Sequence, residues 1–67
     1  MSGKREMRFV VAVYGVGYWR CSTRGAAERS LARELSRLRR LHGGGDPDSR
    51  IREYATAAAA QAAIDAA

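Results

Sequence analysis

Arg24 to Leu41 contains no proline, and at about 100° per residue Ala27, Leu31, Leu35 and Leu38 fall on one stripe, with Leu41 at its edge. A helix with such a stripe has to bury it against another element. Ser22 and Thr23 both suit an N-cap, and His42-Gly43-Gly44-Gly45 stops the helix, glycine being free to take the left-handed cap conformation. The spacing therefore predicts one continuous amphipathic helix with Leu31, Leu35 and Leu38 buried. On that reading Leu35→Ala costs about 2–5 kcal/mol.

The partner for that stripe lies upstream. Phe9-Val10-Val11-Ala12-Val13-Tyr14 is β-branched and aromatic and is bounded by Gly15-Val16-Gly17, so it reads as a strand. Tyr18-Trp19-Arg20-Cys21 is a second β-prone run. A hairpin turning at 15–17 is the natural reading, with one long strand bent at the glycines as its rival. Strand one is apolar on both faces: Phe9, Val11 and Val13 on one, Val10, Ala12 and Tyr14 on the other.

Asp46-Pro47-Asp48-Ser49 has turn chemistry. Beyond it, 50–55 reads either as a short strand followed by a helix over Ala57 to Ala66 or as the start of one long helix opened by Asp46-Pro47. An internal echo favours the first. Thr23, the pair Ala26-Ala27 and Leu31 recur as Thr56, the pair Ala59-Ala60 and Ile64, always 33 residues apart. Each copy is an extended run, a capping threonine, a close-packed alanine pair and an aliphatic anchor, so a βα unit is used twice.

The predicted fold is α+β, a single small ββαβα domain over 7–67 behind a basic tail at 1–6, with a mainly antiparallel sheet and two helices on one face. Sixty-seven residues leave no room for a second domain. Two small helices on one face would leave the other face of strand one bare, and an uncovered apolar sheet face predicts a homodimer or a constitutive protein partner.

Charge is unevenly distributed. Residues 1–42 carry ten basic and three acidic side chains, and 43–67 carry two basic and four acidic, which together make the net +5. Eleven of the twelve cations are arginine, whose planar fork suits phosphate or carboxylate better than lysine does. A high-GC genome also enriches arginine, so the arrangement carries the inference rather than the number. Arg29, Arg33, Arg37 and Arg40 share the helix face opposite the leucines, and Glu28 and Glu34 lie towards its boundaries. Like charges at i,i+4 cost helix stability, so Arg29/Arg33 and Arg33/Arg37 point to a use other than stability. Arg20 and Arg24 extend the patch at the helix start. Tyr18 and Trp19 offer rings for stacking or for anchoring a partner; in an extended segment they face opposite sides, one in the core and one outside.

Catalytic and metal chemistry find no constellation. Val11 to Gly17 imitates the start of a dinucleotide-binding turn, but its third glycine would fall at Arg20, where no helix begins. One cysteine and one histidine cannot close a zinc site, and His42 is about 27 Å of helix away from Cys21. Cys21 reads as a small core or edge residue, and Asp46 and Asp48 lack the further carboxylates of a calcium loop. The apolar run from Phe9 to Trp19 is too short for a membrane helix, no targeting segment is visible, and a free thiol fits a reducing cytoplasm.

The expected role is thus non-enzymatic and cofactor-free: a small basic protein that sets an arginine-rich helix face on nucleic acid or a nucleoprotein. Its size, lack of catalytic groups and strand-threonine-helix units look like those of small accessory proteins of phages and mobile elements, anti-CRISPR inhibitors among them, although no motif carries the likeness. That likeness implies the alternative, an inhibitor or adaptor on the acidic surface of a host protein complex.

Overall fold

The structure, a computed structural model, describes residues 6–67. The basic tail expected over 1–6 lies, except for Glu6, outside the described residues. Five elements follow in the expected order: β1 (Phe9–Val13), β2 (Gly17–Cys21), α1 (Arg24–His42), β3 (Ser49–Glu53) and α2 (Ala57–Ala66). The three strands form one antiparallel sheet in the order β2-β1-β3.

β1 takes the centre because it is the one strand apolar on both faces. The hairpin is present. Val16 N–H donates to the Val13 carbonyl at 3.0 Å, and Gly15 has φ +81°. That glycine occupies the position of a type II turn that requires positive φ. β2 and β3 run in the same direction on either side of β1, and joining such strands requires a crossover. α1 supplies it.

The 33-residue echo is real geometry. Thr23 and Thr56 are both extended, with φ/ψ of −137/160° and −141/162°. Their hydroxyl oxygens accept from Ala26 N–H and Ala59 N–H at 3.0 Å each. Ala27 and Ala60 are the two fully buried residues of the helices. At the far end of α1, Gly43 (φ +83°) donates to the Arg39 carbonyl at 2.8 Å, the left-handed cap expected there.

One face of the sheet builds the core. Phe9, Val11 and Val13 pack with Ala27 of α1, joined by half-buried Trp19, Cys21, Leu31, Leu38 and Ile51. The stripe on α1 is narrower than its leucines imply. Leu35 is half-buried and outside this cluster, and Leu41 is 63% exposed. Leu35 sits about 80° round the helix from Ala27 on one side, and Leu41, in the last turn, about 40° on the other. A sheet of three strands spans roughly 10 Å between its outer strands, too little to reach the flank that carries Leu35.

The expectation of two helices on one face is corrected. Val10 and Ala60 are buried outside the Phe9–Ala27 cluster, and the Arg20 guanidinium, beside Val10 in the sheet register, points to the Ala57 carbonyl at 3.5 Å. α2 therefore lies on the face opposite α1. A helix with its side chains is about 10–12 Å across, so α1 alone fills one face of a three-stranded sheet. The second face of β1, expected to be bare, is covered at Val10. α2 packs over β1 and β2 and leaves the outer side of β3 open.

Candidate nucleic-acid interface on helix α1

Arg29, Arg33, Arg37 and Arg40 are all exposed, and Arg29, Arg33 and Arg40 are on the side of α1 opposite the buried Ala27. They are not equivalent. Arg37 forms an ion pair with Glu34, three residues earlier. The hydrogen bond that Arg37 donates to Glu34, and then the charge of Glu34, raise the Arg37 pKa. Glu34 lies only about 60° from Arg37 around the helix, so its side chain reaches the arginine face from the boundary. Arg29, Arg33 and Arg40 have no ion-pair partner among the described residues. At 1.5 Å per residue these three cover about 16 Å of helix.

Arg39, on a different side of α1, is bound to the following loop. Its Nε and Nη2 donate to the two carboxylate oxygens of Asp46 at 2.9 Å each. Those hydrogen bonds hold the Asp46 carboxyl below the usual carboxylate range.

The other expected site residues divide into structural and available groups. Trp19 faces α1 and is half-buried; its Nε1 donates to Ser30 Oγ at 2.9 Å, which in turn donates to the Ala27 carbonyl at 3.1 Å. Its ring supports the core, yet one edge lines a shallow hollow of about 330 Å³ with Arg33 and Arg37. Cys21 Sγ lies 3.6 Å from the same Ser30 hydroxyl, in the role of a small core-edge residue. Arg24 holds its guanidinium 5.5 Å from the centre of the Phe9 ring, over the base of the core. Arg20 points the other way, towards the Met7 and Ala57 carbonyls at 3.5 Å each.

Tyr18 is 52% exposed on the α2 side, opposite Trp19, as strand alternation requires. The structure thus joins Arg29, Arg33, Arg37, Arg40 and an edge of Trp19 on one side, and separates Arg20 and Tyr18 from them. Arg50 and Arg52, which the sequence reading left out, stand on the same sheet face as Tyr18 and Arg20. Their equal parity in Ser49-Arg50-Ile51-Arg52-Glu53 was the available signal.

Among the described residues no three of His, Cys, Asp and Glu come together as metal ligands. No helix there is long and apolar enough to cross a membrane. No family model matches this sequence, and no curated protein or solved structure shows significant similarity to it.

Proposed function

We propose that this chain is a non-enzymatic nucleic-acid-binding protein that holds the phosphate backbone with the outer face of α1. The observation that carries this reading is the row Arg29, Arg33 and Arg40, exposed and without a carboxylate partner among the described residues. Arginine forks on a rigid helix meet phosphate oxygens bidentately, and such contacts position a protein without reading sequence. Trp19, beside Arg33 and Arg37, adds an aromatic edge to the same surface.

One observation favours a second reading, an inhibitor or adaptor seated on an acidic protein surface. Leu41 is 63% exposed and Leu35 half-exposed, one on either flank of the same helix, apolar area that a phosphate backbone does not use. A gel shift with a mixed-sequence duplex, run beside retention on immobilised polyglutamate, separates the two. The nucleic-acid reading expects a shift with wild type that is lost in Arg29→Gln/Arg33→Gln/Arg40→Gln. Retention on polyglutamate with no shift of any nucleic acid would move the assignment to the protein surface.

A further inference from the structure

The face of the sheet turned away from α1 carries a second arrangement of arginines and aromatic rings. Cross-strand register sets it in two rows: Tyr18, Ala12 and Arg50 in one, Arg20, Val10 and Arg52 in the other. Because α2 packs over β1 and β2, the outer end of both rows stays open. A cavity of about 570 Å³ lies there, with Ala12 in its floor, Ala63 of α2 on one side, and Tyr14, Tyr18, Arg50 and Arg52 around it. That volume is within the range of roughly 300–1,000 Å³ found for small-molecule sites. The hollow exists because alanine fills both positions where a larger side chain would close it.

The lining has unused chemistry. Arg20 on this face is engaged with backbone carbonyls, and Arg8 beside it pairs with Glu53 and donates to the Tyr54 carbonyl. Arg50 and Arg52 are exposed and in no ion pair among the described residues. Tyr14 is 82% exposed. Asp48 lines the Tyr14 end and is the one acid in the lining. It keeps anions towards the arginine end and leaves the ring end for a group bearing N–H donors.

We propose that this groove is a binding site for unpaired nucleotides of a single-stranded nucleic acid, a base stacking on Tyr14 or Tyr18 and its phosphate held by Arg50 and Arg52. The match is one of chemistry: flat π faces beside free guanidinium forks accept a base and its phosphate together, and a paired base in a duplex cannot enter. The site is on the opposite side of the sheet from the arginine face of α1 and stands or falls separately from it.

Fluorescence polarisation with a labelled twelve-residue oligo(dA), and with the same strand annealed to oligo(dT), tests the proposal. Wild type should bind the single strand, and with the α1 arginines neutralised the single strand should bind more tightly than the duplex. Tyr14→Leu/Tyr18→Leu should weaken oligo(dA) binding by roughly fivefold or more while leaving the duplex unchanged. Ala63→Phe, which fills the hollow and alters no charge, should do the same; thermal melting confirms that each variant is folded. Arg29→Gln/Arg33→Gln should weaken the duplex and leave the single strand preferred. Oligo(dA) affinity untouched in folded Ala63→Phe, or in Tyr14→Leu if the double variant does not fold, overturns the groove site and leaves the α1 reading intact. An Arg29→Gln/Arg33→Gln chain that binds the duplex more tightly than the single strand overturns it as well.

Discussion

Val11 is the largest side chain with no exposed surface, on the central strand between both neighbours and under α1. Val11→Ala removes two carbon groups, worth about 0.8 kcal/mol each in transfer alone. The space left behind cannot collapse easily, because Trp19 and Ile51 are fixed on either side by the ladder. The cavity contribution then brings the expected loss to about 2–3 kcal/mol. A chain of 67 residues has a total stability of only about 3–10 kcal/mol. The melting temperature should therefore fall by about 10–20 °C, at roughly 4–8 °C per kcal/mol for a domain this small. Circular dichroism melting measures it, with Val16→Ala in the exposed turn as the control, expected within about 0.5 kcal/mol of wild type. If Val11→Ala melts within about 3 °C of wild type, or no lower than Val16→Ala, the core assignment is wrong.

The two threonine caps should behave alike: Thr23→Ala and Thr56→Ala each cost about 0.5–2 kcal/mol in urea denaturation, with Thr→Ser at either site recovering most of it. The Arg39–Asp46 contact sets an acid-side dependence. Asp46 has a folded-state pKa below its unfolded one, so the contact stabilises above the ordinary carboxylate range and is lost as pH falls through the folded value. Asp46→Asn should thus be less stable than wild type near neutrality and indistinguishable from it at the acid end of a pH series of melts, and a gap that persists there would contradict the pairing.

What was legible in the sequence was local. A β-branched run, a glycine turn, two capping threonines and a glycine stop each act through residues within a few positions, and all of them appear where the spacing places them. What depends on distant neighbours was harder to read. The side of the sheet taken by α2 follows from a three-stranded sheet being too narrow for a second helix beside α1. The half-exposure of Leu35 has the same cause. The Glu34–Arg37 pair depends on which way a boundary side chain turns, which a helical wheel does not give. The groove depends on register: Arg50 and Arg52 look like the solvated face of a charged strand until Ala12 and Val10 are set beside them.

The central claim, that the outer face of α1 meets phosphates, is tested most directly by the salt dependence of duplex binding. Each phosphate contact releases condensed counterions, so for a duplex the logarithm of the affinity falls against the logarithm of salt by roughly 0.9 per contact. Arg29→Gln/Arg33→Gln should flatten that slope by about 1.8, two contacts' worth, and weaken every duplex sequence alike. Arg37→Gln should flatten it less, because Glu34 already holds that guanidinium. A double variant with the wild-type slope and the wild-type affinity would show that α1 presents a solvated surface and that the arginine row has no phosphate to meet.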